Sequence, residues 1–167
     1  EEWLDIFPED AYEGNDYVFA FFLNDEKRHL EAAKKFAKRL NNKLILVPYK
    51  GTTYLQNADI RADAGLEDML NLIRNAKYVI TDSFHITVFS IIYRKQFYTF
   101  QRFKEDEFTS QNVRVTNLLR MVDLSERLIP YQSTQIDMLD DMNYDGHIEK
   151  LNIEIEKSKE FLKDSIK

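Results

Sequence analysis

Three side chains capable of acid–base or hydrogen-bond chemistry, Asp82, Ser83 and His85, stand together inside the otherwise apolar run YVITDSFHITVFSIIY, Tyr78 to Tyr93. Burying such groups costs free energy unless each finds a partner, so the run either satisfies them or presents them at a site. Imidazole titrates near neutral pH and can act as a general acid, while a hydroxyl can both donate and accept a hydrogen bond. The run contains no glycine. A dinucleotide-binding turn needs glycines for close backbone approach to the pyrophosphate, so NAD and FAD are excluded here.

The elements that must position these residues follow from the apolar pattern. NDYVFAFFL (Asn15 to Leu23) and KLILVPY are continuous apolar runs of strand length, and KYVIT and QFYTF add two more. Continuous rather than alternating apolar strands are buried on both faces, as in a parallel sheet. Between them, DEKRHLEAAKKFAKRLNN places Leu30, Ala33, Ala37 and Leu40 at helical steps, with Asn41 and Asn42 to end the helix. A second helix is expected from about Leu66 to Ala76, after a polar loop from Lys50 to Ala64. Two consecutive parallel strands, KYVIT and QFYTF, need a crossover, so HITVFSIIYR is expected to be a buried helix despite its β-branched content. The fold expected is α/β, a Rossmann-like three-layer domain with a mainly parallel sheet.

Asp82, Ser83 and His85 then fall in the turn between the carboxyl end of a strand and the amino end of a helix. Ligands of open α/β sheets bind along that rim, and the helix end offers N–H donors to an anion. The structural alternative is that Ser83 or Asp82 caps the helix and His85 is a satisfied core histidine. Position alone leaves both open.

Composition bounds the rest. The 167 residues, 44% hydrophobic and 13% aromatic, suit one globular domain spanning 1–167, with 1–16 as a linker and 144–167 as a closing helix. A net charge of −6 argues against nucleic acid, which is held through clustered Lys and Arg. The one basic group, Lys34, Lys35, Lys38 and Arg39, follows Asp25 and Glu26 in the sign order that suits a helix dipole. With no cysteine, disulfides, thiolate nucleophiles and cysteine metal ligands are excluded, which fits a cytoplasmic protein. The longest apolar run falls short of the roughly 20 residues of a membrane span. The chain opens on EEWLDIF, without an initiator Met, and is expected to be a piece of a longer protein.

The segment GLEDMLNLIRNAKYVITDSFHITVFSIIYRKQF, followed by NVRVTNLLRMVDLSERLI, resembles the carboxyl-terminal half of the polysaccharide pyruvyl transferase family. The matching features are Asn75-Ala76, Thr81 to His85, Phe89-Ser90-Ile91, Arg114, Leu118-Leu119 and Leu124 to Arg127. The tail from Asn143 also looks like the closing helix of that family. One departure is that the glycine common directly after the histidine is Ile86 here, a β-branched residue expected to fill space close to the site.

The resemblance implies transfer of a pyruvyl group from phosphoenolpyruvate to sugar hydroxyls of a surface or exported polysaccharide. It also implies that this chain is one half of a two-domain, glycosyltransferase-type fold, inactive without its amino-terminal partner domain. On that reading His85 is the catalytic general acid, and Ser83, Phe84, Asp82 and an arginine hold the donor; no cofactor or metal is needed. Arginine suits a phosphate and carboxylate better than lysine. Arg61, Arg102 and Arg114 are available; Arg114 belongs to the matched segment, with a structural salt bridge as its alternative role. The rival functions are a nucleotide-sugar glycosyltransferase donor domain and a non-catalytic binding module of the same fold.

A second motif, DMNYDGHIEKLN (Asp141 to Asn152), has the spacing of an EF-hand loop but Asn152 where a bidentate Glu belongs. Asp145 is expected instead to cap a final helix carrying Ile148, Leu151, Ile155 and Leu162 on one face.

Overall fold

The computed structural model describes residues 16–49, 58–62, 64–104, 107 and 110–165. Its strands and helices alternate except at β2 and β3, which are consecutive: β1 (Tyr17–Phe21), α1 (Lys27–Arg39), β2 (Lys43–Val47), β3 (Ile60–Arg61), α2 (Leu66–Asn75), β4 (Tyr78–Thr81), α3 (Phe84–Ile92), β5 (Gln96–Phe100), α4 (Asn112–Met121), β6 (Leu128–Ile129) and α5 (Asp145–Ser165). The six strands form one sheet in the order β3-β2-β1-β4-β5-β6, and each pairing is parallel. This is the doubly wound order, in which the chain reverses its direction of growth between β1 and β4. The α/β, Rossmann-like expectation is borne out.

The continuous apolar strands are explained by two cores, one on each face. Along β1, Tyr17, Phe19 and Phe21 enter a cluster with α2, α3 and α4, while Val18 and Ala20 enter another with Leu30, Ala33 and Phe36 of α1. Strand alternation therefore feeds both layers, and the one hydroxyl on β1, that of Tyr17, donates to the Leu72 carbonyl at 2.7 Å. The crossover expected between β4 and β5 is helix α3. Its hydroxyls do not disturb it: Thr87 Oγ1 donates to the Ser83 carbonyl at 2.9 Å and meets Thr99 Oγ1 at 2.8 Å, and Ser90 Oγ donates to the Ile86 carbonyl at 2.8 Å.

Helices α1, α3 and α4 end alike, without glycine. Asn41, Arg94 and Asp123 have φ of 54°, 52° and 54°. The next amide in each case reaches back over the last turn, Asn42 to Ala37, Lys95 to Ser90 and Leu124 to Leu119, at 3.0, 2.8 and 2.7 Å. These are left-handed helix stops of the kind that glycine usually provides.

Some expectations need correcting. The polar loop from Lys50 to Ala64 contains the two-residue edge strand β3, paired with β2; residues 50–57 and 63 lie outside the described residues, as does the 1–15 part of the expected linker. Asp25 and Glu26 precede α1 rather than occupying its first turn. Of the basic group on that helix, Lys34 pairs with Glu31 at 2.7 Å and Arg39 donates to the Ile136 carbonyl at 2.9 Å. Asp145 is the first residue of α5, not its cap; its amide donates to Asn143 Oδ1 at 3.2 Å. Only the start of α5 packs on the core, through Ile148 and Leu151, whereas Ile155 and Leu162 are exposed.

Between β6 and α5, residues 130–144 run as a strap from Gln101, at the carboxyl end of β5, to the amino edge of the sheet. Leu139 N donates to Tyr98 Oη at 2.9 Å, Gln96 holds Met142 through both its amide atoms, Tyr78 Oη donates to Asp141 Oδ1 at 3.0 Å, and Tyr144 Oη donates to the Lys95 carbonyl. Buried Arg127 joins it by donating to the Asp140 carbonyl, its guanidinium lying over the Tyr98 ring. Ile136 packs in the α1 core and Tyr144 in the opposite one.

Candidate functional site

The carboxyl edge of the sheet collects the sequence-predicted residues. Thr81 ends β4 beside Phe21 of β1 and donates through Oγ1 to the Phe21 carbonyl at 2.7 Å. The chain then turns through Asp82 and Ser83 into α3. Ser83 is the cap of that helix and is buried; its Oγ faces the Ile86 amide at a long 3.5 Å, and its own amide donates to Thr81 Oγ1 at 3.0 Å. The amides of Phe84 and His85 are the first two of α3, which no carbonyl inside a helix can accept.

Asp82 points inward. It is 3% exposed, and its Oδ1 and Oδ2 accept the amides of Leu23 and Asn24 at 2.7 and 2.9 Å. Burial pushes its pKa from 3.8 up to about 6, against the opposing pull of those amides and of Arg102. The reversal between β1 and β4 is where doubly wound sheets open a crevice for ligands. Here a carboxylate of the chain itself bridges it.

The described cleft lies one strand further along, above β5. It is lined by Asp82 and Phe84, by Arg102 and Phe103 after β5, and by Gln111, Asn112 and Arg114 at the start of α4. Arg102 and Arg114 are thus brought together, and among the described residues neither guanidinium forms an ion pair. The Arg114 guanidinium lies 4.4 Å from the centre of the Phe84 ring, and that of Arg102 4.7 Å from the centre of Phe103. The salt-bridge alternative for Arg114 gives way to this stacking and a long contact of 3.5 Å to Gln111. The free space in the cleft is about 20 Å³, room for about one water. Arg61 belongs to β3, separated from β4 by β2 and β1.

His85 is exposed, without a hydrogen-bond partner among the described residues. It does not line the cleft; its ring stands edge-on beside that of Phe84, which does, with centroids 5.8 Å apart. The histidine in the core is His29 instead, satisfied at Nε2 but with no hydrogen-bond partner for Nδ1 among the described residues. That ring is fully buried, stacked on Phe100 at 4.2 Å, with Nε2 3.0 Å from the Tyr131 carbonyl, and burial lowers its pKa. Ile86 does not fill the site as expected. Its side chain is 4% exposed and belongs to the core beneath α3.

Two residues that sequence reasoning missed organise the cleft. Asn112 Oδ1 accepts the amides of Arg102 and Phe103 at 3.1 and 3.2 Å, and its Nδ2 donates to the Phe103 carbonyl at 2.7 Å. Asn24 Nδ2 donates to the Arg102 carbonyl at 2.9 Å. Three connections, β1 to α1, β4 to α3 and β5 to α4, are therefore tied into one polar chain that fixes the backbone of Arg102.

The model of the family described as polysaccharide pyruvyl transferase matches residues 5–102, more than half of the chain. This chain belongs to that family. The matched span contains all of β1 to β5, the Asp82 to His85 turn and Arg102 of the pyruvyl transferase domain. Arg114, Leu118-Leu119, Leu124 to Arg127 and α5, also part of the sequence resemblance, lie beyond it. No curated protein matches the chain. Among the described residues of this family member, no group of three or more acidic or histidine side chains could hold a metal ion, and no helix is long and apolar enough to cross a membrane.

Proposed function

We propose that this domain takes part in transfer of a pyruvyl group from phosphoenolpyruvate to sugar hydroxyls of a surface or exported polysaccharide, as the carboxyl-terminal half of a two-domain cytoplasmic enzyme. The observation that carries the reading is the pair of arginines Arg102 and Arg114, which line one cleft at the amino end of α3 and form no ion pair among the described residues. The donor carries a phosphate and a carboxylate, and two planar guanidinium forks are suited to both. The Phe84 and His85 amides supply further donors at the positive end of the helix.

In the overall reaction a proton adds to the methylene carbon of phosphoenolpyruvate, two sugar hydroxyls lose their protons and bond through oxygen to its C2, and the C2–O bond to phosphate breaks; one hydroxyl proton replaces the one added to carbon and the other leaves with inorganic phosphate. His85 donates the proton to the methylene carbon, and the arginines balance the charge of the departing phosphate. Its exposure lets the ring reach a donor seated beside Phe84. The acceptor sugar is held by the other half of the enzyme.

The test is a thermal-shift screen of phosphoenolpyruvate against UDP- and GDP-sugars. A ligand bound only by the folded state at 100 times its Kd stabilises by about 2.7 kcal/mol and raises the melting temperature. Phosphoenolpyruvate is expected to do so and the nucleotide sugars not; the reverse pattern would overturn the proposal in favour of a glycosyltransferase. With the amino-terminal half restored, His85→Ala is expected to abolish turnover, and equal activity in wild type and variant would remove His85 as the acid.

A further inference from the structure

The turn after β1 is the place where doubly wound domains hold the diphosphate of a nucleotide on backbone amides. In this chain the amides of that turn, Leu23 and Asn24, are aimed at the Asp82 carboxylate at 2.7 and 2.9 Å. We propose that Asp82 is a specificity-determining residue: its carboxylate is a resident anion that keeps a nucleotide diphosphate out of the crevice between β1 and β4.

The geometry carries this in three ways. The carboxylate is 3% exposed and both of its oxygens are committed, so an incoming phosphate finds neither a free donor nor a neutral neighbour. The segment between β1 and α1, Phe22 to Glu26, has no glycine to let a phosphate close to its backbone. A buried carboxylate repels a ligand of two or more negative charges most strongly where water is scarce. Finally, the same turn is pinned from the other side, Asn24 Nδ2 to the Arg102 carbonyl at 2.9 Å, so it cannot swing away to accommodate a guest without releasing Arg102. Asp82 also lines the cleft beyond β4, but there Arg102 and Arg114 offset its charge, so an anionic donor is left with that side; that clause rests on the pyruvyl-transfer reading, whereas exclusion at the crevice does not.

The experiment titrates inorganic pyrophosphate at pH 7.5 into wild type, Asp82→Ala and Asp82→Asn, following the Leu23 and Asn24 amide resonances and the heat of binding. In wild type neither amide should move. Asp82→Ala uncovers both donors and should bind pyrophosphate at least tenfold more tightly than wild type, shifting both amides; Asp82→Asn, which keeps one acceptor oxygen, should show a smaller gain. Movement of both amides in wild type, or a folded Asp82→Ala with no gain in affinity, would overturn the proposal. If Asp82→Ala does not fold, the near-isosteric Asp82→Asn decides it by the same comparison, with unchanged affinity counting against. Phosphoenolpyruvate titrated into wild type alongside keeps the two readings apart, because its failure to bind removes the donor assignment and leaves the pyrophosphate result standing.

Discussion

The guanidinium of Arg114 lies over the Phe84 ring, 4.4 Å from its centre, and both residues line the same cleft. Its side chain is exposed and has no carboxylate partner among the described residues, so it contributes little to stability. Arg114→Ala should leave the urea midpoint nearly unchanged and weaken phosphoenolpyruvate about tenfold or more, the worth of a charge-assisted hydrogen bond of roughly 1.5–3 kcal/mol. Arg114→Lys should recover only part of the affinity. Calorimetric titration of both variants checks this, and unaltered affinity in Arg114→Ala would remove it from the donor site.

Asn112 replaces backbone partners for two consecutive residues, Arg102 and Phe103. Asn112→Ala strands both amides and should cost about 1–3 kcal/mol in urea unfolding. Asn112→Asp retains the two accepted bonds and should recover most of that loss. Phosphoenolpyruvate affinity should fall in the alanine variant and follow the same order of recovery.

Two buried groups tilt stability against pH in opposite directions. The carboxyl of Asp82 titrates near 6 in the folded state against an ordinary 3.8, so the native chain holds that proton more tightly; its contribution is full below about pH 4 and is lost as pH rises through about 6. His29 is shifted down from 6.5 by burial, so the unfolded chain takes up the proton first; its contribution is full above about pH 6.5 and is lost as pH falls. The stability difference between wild type and Asp82→Asn should therefore decline with rising pH between about 4 and 6, and that between wild type and His29→Phe should grow up to about 6.5. Urea melts across this range measure both, and differences independent of pH would contradict them.

Arg94 stops α3 at φ 52°, a conformation an L side chain adopts at a cost. Arg94→Gly relieves that cost at the expense of chain entropy and should raise stability by about 0.5–1 kcal/mol. The expected signature is a higher denaturant midpoint at unchanged slope.

The long elements were legible because their sequences obey one constraint at a time. A strand buried on both faces is apolar throughout, as in YVFAF of β1, and an edge-to-core helix repeats its apolar residues, as in α1. β3 and β6 escaped because each has two residues, too few to carry a period, and their pairing depends on a neighbour distant in sequence. Asp82, Ser83 and His85 were legible as a turn by the topological need for a crossover. Their different fates were not: whether a polar side chain faces the crevice, caps the helix or meets solvent depends on partners such as Leu23, 59 residues away from Asp82. Asn24 and Asn112 gave no sequence signal, since each acts through backbone groups of any identity. Ile86 misled for a related reason, because the first turn of α3 sends its third residue into the core.

The strap of residues 130–144 enters one hydrophobic layer at Ile136 and the opposite one at Tyr144. A single segment rooted on both sides acts as a stitch through the domain, so loosening either half drags on the other. Circular dichroism and tyrosine emission should consequently trace one superimposable melting curve rather than two.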